Sequence, residues 1–245
     1  MENSQPKTSV MPTEPHQQVG RAFDSVLVVS FGGPQGLADI RPFLANVLCG
    51  RRVSPARVEE VAHHYEHFGG VSPITELTMR QAEGLGARLA EAGYPMPVYV
   101  GMRNWHPLLP DTLRKMSEAG RRRAVGFITA AQHSYSSCEH YRQNVTDARA
   151  ALRASGQPDV SVTYVDSWFD HDLFITTNAT HVRDARARLP EGTRPKARLI
   201  FTAHSIPVPM AEASRYREQL ETGARRVAER AGSPIVGTAR RTGRR

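Results

Sequence analysis

Cysteine is nearly missing from this chain: Cys49 and Cys138 are the only two in 245 residues. They cannot build a disulfide framework, and neither sits in a CxxC pair or at zinc-ligand spacing. Nothing therefore points to an oxidising compartment. There is also no run of the roughly 18 apolar residues that a spanning helix needs. Residues 1–20 lack the basic start and apolar core of a signal peptide. They are rich in Pro, Gln, Ser and Thr without apolar periodicity, which reads as a disordered tail. The expectation is a soluble, cytoplasmic protein that touches membranes at most with its surface. Acidic residues are short as well, 24 against 32 Lys and Arg, for a formal net charge of +8. The excess is not arranged for nucleic acid. Arg121, Arg122 and Arg123 lie in a loop before a strand, and Arg240, Arg241, Arg244 and Arg245 crowd the last positions. Neither a recognition-helix pattern nor basic-aromatic interleaving is present. The charge reads as solvated, with no nucleic-acid partner.

Short apolar or β-branched runs alternate with amphipathic stretches. Strands are expected at 25–30, 98–102, 124–129, 160–165 and 197–203. Helices are expected at 39–48, 55–67, 75–92, 110–119, 141–154, 172–188 and 210–231. In the helix at 75–92, Leu77, Leu85 and Leu89 share a face and Gly93 ends it. Such alternation implies parallel βαβ units. The strands at 160–165 and 197–203 read as buried and as the start of a second set. This gives a disordered tail at 1–20, a first lobe at 21–158, a second lobe at 159–232 and an irregular basic tail at 233–245. The fold class is α/β, with two Rossmann-like lobes.

The run Leu199-Ile200-Phe201 stops and His204 follows almost at once. Ligands of open α/β sheets bind beyond the carboxyl ends of strands. A histidine there can serve as a base or a metal ligand, or simply cap the strand end. His63, His64 and His67 have helical spacing that could pair two of them on a metal; lining a cleft or the surface beside Ser72 is the favoured reading. Trp105 and His106 follow a strand end and could wall a site. Trp168 fits either core or cleft.

Five motifs stand in one order: Phe31-Gly32-Gly33-Pro34, His67-Phe68-Gly69-Gly70-Val71-Ser72-Pro73-Ile74, Ser134-Tyr135-Ser136-Ser137-Cys138-Glu139-His140-Tyr141, Asp166-Ser167-Trp168-Phe169-Asp170, and Ala203-His204-Ser205. On these the chain resembles the ferrochelatases, which insert ferrous iron into a porphyrin. The resemblance runs from about Phe23 to about Gly232. It implies two Rossmann-like lobes around a porphyrin cleft, with the second lobe incomplete. Family members continue with further strands and helices where this chain reads Gly-Ser-Pro-Ile-Val-Gly-Thr-Ala-Arg-Arg-Thr-Gly-Arg-Arg and stops. A truncated or frame-shifted end is expected, with a naturally short variant as the alternative.

The resemblance makes His204 the catalytic histidine, as iron ligand or proton acceptor. The family's partner carboxylate has no match here, so the chain is expected to be inactive alone. Ser72 matches a porphyrin-contacting position, and as Ser before Pro73 it could also cap a helix. Tyr141 matches another contact; read without the family it is a packing aromatic. Phe31 would stack on the macrocycle but cannot ligate. Phe31, Arg41-Pro42-Phe43-Leu44 and Cys138 look most like the actinobacterial branch. That likeness implies coproporphyrin III as the substrate, Fe2+ as the inserted metal, and a monomer with transient contacts to other haem-pathway enzymes. Protoporphyrin IX is one alternative substrate, and a non-catalytic tetrapyrrole- or metal-binding protein is another function. In that branch the cysteine at Cys138 joins others in a [2Fe–2S] cluster. Such a cluster takes four ligands, so here Cys138 is expected to be an ordinary buried thiol.

Overall fold

The computed structural model describes residues 22–134, 138–203, 206–233 and 235–238. The expected tail at 1–20, the end from 239 on, and His204 with Ser205 lie outside the described residues. All six residues of β1 (Ser25–Ser30) are buried. A strand covered on both faces requires such an unbroken apolar run. Val26 and Val28 enter one layer with Ala82, Val100 and Met102. Leu27 and Val29 enter the other with Leu113, Met116 and Val145. β2 (Val98–Met102) and β3 (Arg123–Ile128) flank β1, and β4 (Ser161–Tyr164) adds to β3. The sheet order is β2-β1-β3-β4 and every pairing is parallel.

Five helices dress this sheet: α1 (Ile40–Leu48), α2 (Pro55–His67), α3 (Ile74–Glu91), α4 (Leu109–Glu118) and α5 (His140–Ala154). α3 covers the Val26 face through Ala82, Leu85 and Leu89. α4 and α5 cover the other face through Leu109, Leu113, Val145 and Leu152. The Ser54 hydroxyl accepts from the Arg57 N–H at 3.3 Å and Pro55 opens α2, a favourable start because proline has no N–H to leave unpaired. α1 and α2 form a satellite cluster with Phe43 at its centre.

Beyond β4 come α6 (Asp172–Ala187), β5 (Leu199–Phe201), α7 (Val208–Glu212), α8 (Tyr216–Ala231) and β6 (Ile235–Thr238). α6 and α8 pack through Ile175, Ala179 and Val227, with Phe201 against them. β5 and β6 pair in parallel as a separate two-stranded sheet.

Four expectations are corrected. The strand near 160–165 belongs to the first sheet, because its backbone pairs with β3 from Arg123↔Ser161 to Gly126↔Tyr164. It is also not buried: as an edge strand it alternates exposed and half-buried residues. β5 is likewise open on one side, with Ile200 64% exposed. The expected helix at 210–231 is two helices, α7 ending at Glu212 and α8 starting at Tyr216, and between them the Ser214 hydroxyl accepts from the Tyr216 N–H at 3.4 Å. The stretch from 233 is not irregular throughout, because β6 completes a strand pair. No helix among the described residues is long and apolar enough to cross a membrane.

Candidate functional site

In the order β2-β1-β3-β4 the chain leaves β1 towards β2 and then crosses to β3 on the opposite side. The loops at the carboxyl ends of β1 and β3 therefore leave in opposite directions, and such a switch point is where open parallel sheets hold a ligand-binding crevice. Phe31 stands at the end of β1. It is half-buried between the two core clusters and meets Phe43 edge-on at 6.2 Å. Its carbonyl accepts from the backbone N–H and the side-chain amide of buried Asn104, at 3.0 and 3.2 Å. Asn46 donates in turn to the Asn104 carbonyl at 3.1 Å. Beneath, the buried hydroxyls of Ser30 and Thr78 meet at 3.0 Å, and Thr129 donates to Ser30 at 3.0 Å. The polar groups at the strand ends are thus satisfied internally.

The two glycine motifs fold against each other. A Cβ on Gly33 would lie 2.5 Å from Cβ of Ser72. Gly70 has φ +75°, and a Cβ there would lie 2.7 Å from the Leu37 backbone nitrogen. Only glycine fits either place. The contact is stitched by Ser72 N–H donating to the Pro34 carbonyl at 2.8 Å and by the Gln35 amide donating to the carbonyls of Gly33, Pro34 and Ser72. Ser72 does not cap α3: Pro73 occupies that position, with no side-chain hydrogen bond. Ser72 instead holds the loop after β1.

Arg103 follows β2, and its N–H donates to the Ser30 carbonyl at 3.0 Å. Its guanidinium reaches Nδ1 of His140, at the start of α5, at 3.3 Å. This contact spans the end of β1. Burial, then the charges of Arg103 and Arg51, hold the His140 pKa below its usual value. Among the described residues no carboxylate forms an ion pair with Arg51 or Arg103. The carboxyl end of the sheet therefore carries both a cationic group, Arg103, and an aromatic one, Phe31. Tyr141 is 7% exposed and packs in the core with Cys138 and Val145. Burial pushes its phenol up to about 12, so it stays protonated. Its placement fits the packing role read from the sequence.

The other candidates are placed as follows. Trp105 donates from Nε1 to Asp39 at 3.1 Å and sits edge-on to Phe43, while His106 is exposed. His63, His64 and His67 are all exposed, and His63 pairs with Glu66 at 2.7 Å. The described residues contain no group of three or more His, Cys, Asp and Glu that could hold a metal. The arginine run is less free than expected: Arg122 donates to the carbonyls of Ser117 and Arg121, and its N–H binds Asp24. Trp168 is half-buried. It stacks on Phe127 at 5.4 Å, donates to the Ile128 carbonyl at 3.0 Å, and lines a cavity of about 630 Å³ with Cys138, Arg142, Arg215 and Gln219. Cys138 is buried and Cys49 exposed. These two thiols are all the chain carries, and they do not fit the four-ligand set of a [2Fe–2S] centre.

Sequence reasoning passed over Arg103, Asn104 and Gln219. Arg103 and Asn104 lie directly beyond a strand end, which is the signal that could have found them. Nothing local marks Gln219.

A parallel, Rossmann-like sheet with a cationic and an aromatic group at its switch point is the class this fold defines. Within it the chain belongs to the ferrochelatase family, whose profile matches residues 24–239. It is 44% identical over 214 residues to the coproporphyrin III ferrochelatase of Mycolicibacterium smegmatis, covering 86% of this chain and 62% of that protein. Its identity to the coproporphyrin III ferrochelatase of Nocardia farcinica is 46% over 187 residues, covering 76% and 52% respectively. Against that of Corynebacterium glutamicum it is 38% over 224 residues, covering 89% and 60%. The chain thus spans between half and two thirds of the length of these relatives.

Proposed function

We propose that this chain serves the insertion of ferrous iron into coproporphyrin III, giving coprohaem in haem biosynthesis. The observation that carries the proposal is that the carboxyl end of the central strand brings together aromatic Phe31, next after β1, and Arg103, whose N–H binds the Ser30 carbonyl. An aromatic face suits a flat macrocycle, and a guanidinium suits a propionate. The names of the actinobacterial relatives support the same substrate. In this reading Phe31 stacks on the porphyrin, Ser72 fixes the loop that borders its carboxylate side, and Tyr141 backs the macrocycle from the core. His204, just past β5, takes iron or a pyrrole proton. The reaction exchanges two N–H protons for one Fe2+, and a neutral imidazole suits either task because ferrous iron accepts nitrogen ligands. The proposed setting is the cytoplasm, with the protein monomeric and in transient contact with neighbouring haem-pathway enzymes.

A fluorescence titration tests the substrate. Coproporphyrin III, a tetracarboxylate, should bind more tightly than the dicarboxylate protoporphyrin IX, and equal or reversed affinities would remove the preference. Iron insertion is followed by loss of free-base porphyrin fluorescence when Fe2+ is added without oxygen. In a full-length version that supplies the partner carboxylate, His204→Ala should abolish that loss and leave porphyrin affinity unchanged. Normal insertion by the variant would refute the assigned role, and binding without insertion by the full-length version would leave a tetrapyrrole-binding protein.

A further inference from the structure

Gln219 lies on α8, is 3% exposed, and uses both ends of its amide on other segments. Its Oε1 accepts from the His133 N–H at 2.6 Å, in the loop after β3. Its Nε2 donates to the Ser167 hydroxyl at 3.2 Å, in the segment after β4. Three chain segments therefore meet on one side chain. Two of them, around His133 and Ser167, follow adjacent strands of the first sheet, whereas α8 packs with α6 and follows β5. His133 and its chain neighbour Gln132 also touch the residues just before α5. The His133 ring contacts Glu139 at 3.1 Å, and the Cys138 thiol donates to the Gln132 carbonyl at 3.5 Å. Tyr141 and His140 come next in the chain. A buried amide satisfied at both ends fixes its partners in one arrangement, because moving either would strand a polar group away from water.

We propose that Gln219 is a positioning residue that locks α8 to the loop after β3 and so holds the start of α5, with Tyr141 and His140, against the crevice. Its effect on porphyrin rests on the function proposed above; its effect on the loop does not.

The chain's two thiols provide the test. Cys49 is exposed and Cys138 buried, so a thiol reagent such as an aromatic disulfide labels the first quickly and the second slowly. Gln219→Leu keeps the bulk of the side chain and removes both hydrogen bonds. It should speed Cys138 labelling by about tenfold or more, as local opening becomes easier, with Cys49 unchanged. Gln219→Glu keeps an acceptor for the His133 N–H, and the Ser167 hydroxyl can turn to donate, so its labelling should return close to that of the parent. Coproporphyrin III should bind several-fold more weakly to Gln219→Leu than to Gln219→Glu, at matched melting temperature. Cys138 labelling within about twofold of the parent in folded Gln219→Leu would overturn the lock. A faster loop with unchanged porphyrin affinity would overturn its positioning role. If Gln219→Leu fails to melt cooperatively, Ser167→Ala, which removes only the second bond, takes its place; faster Cys138 labelling supports the proposal and an unchanged rate overturns it. Failure of the parent chain to bind any porphyrin would sink the proposed function, while the labelling results would still decide for or against the lock.

Discussion

Gly33 leaves no room for a methyl group, since its missing Cβ would sit 2.5 Å from that of Ser72. The neighbour is the root of a side chain and cannot swing away. Gly33→Ala should therefore push the two glycine loops apart and destabilise the protein by about 1–3 kcal/mol, the usual range for forced overpacking. Chemical denaturation checks it, and an unchanged midpoint would mean that the loops slide past each other freely. Arg103 carries a different prediction. Arg103→Gln keeps a polar, hydrogen-bonding end on a shorter side chain and removes the charge. It should weaken coproporphyrin III binding several-fold and flatten the salt dependence of that affinity, because a guanidinium–carboxylate contact is screened by added ions. Equal salt slopes for the parent and Arg103→Gln would show that this charge does not meet a carboxylate. Phe31 and the glycines could be read in the sequence because strand ends and paired glycines leave local marks. Arg103 and His140 meet across 37 residues, and Gln219 reaches His133 across 86 and Ser167 across 52, so no short window of the chain contains both members of any pair.

The connection from α5 to β4 is held by Asp159. Arg149 meets its carboxylate through two nitrogens, at 3.0 and 2.7 Å, and Arg153 adds a third contact at 3.0 Å. These hydrogen bonds, led by that from Arg149, keep the Asp159 pKa below the ordinary value. A depressed carboxylate stabilises the fold above its unfolded pKa of about 4, and loses that contribution as the pH falls through the folded value. The pair is partly exposed, so solvent screening limits it to about 1 kcal/mol. Asp159→Asn should cost about that much at pH 7 and almost nothing at pH 2, as measured by denaturant midpoints across that range. A penalty independent of pH would assign the effect to packing. Elements with a strong local period, such as β1 and α2, fall where the sequence places them. β4 was assigned to the wrong sheet for a physical reason: its own residues say that it is a strand, but only the backbone of β3 says which one it joins.

At the scale of the molecule the two sheets are unequal. The first has four strands and helices on both faces. The second has two strands among the described residues, and Leu173, Ile200 and Val208, on α6, β5 and α7, stand more than half exposed. A two-stranded pair is marginal unless something covers it. Hydrogen exchange should show β1, β2 and β3 opening only with the whole protein, and β5 opening locally and much faster. Limited proteolysis should cut first between residues 188 and 215. Uniform protection of both sheets would mean that they form one cooperative unit.

The central place of β1 has a consequence in time. Its neighbours are β2, paired from Val26↔Val98, and β3, paired from Ser25↔Ala124. The most apolar strand of the protein is made early, yet its second partner leaves the ribosome about 99 residues later, counting from residue 25 to residue 124. At roughly 5–20 residues per second, that is a wait of about 5–20 s. Until β2 follows, 72 residues behind when counted from Val26 to Val98, Val26, Leu27, Val28 and Val29 have no strand to pair with, and until β3 follows one edge of β1 stays open. The arrangement that places a crevice at the middle of the finished sheet thus makes the newborn chain a client for any chaperone that binds extended apolar segments.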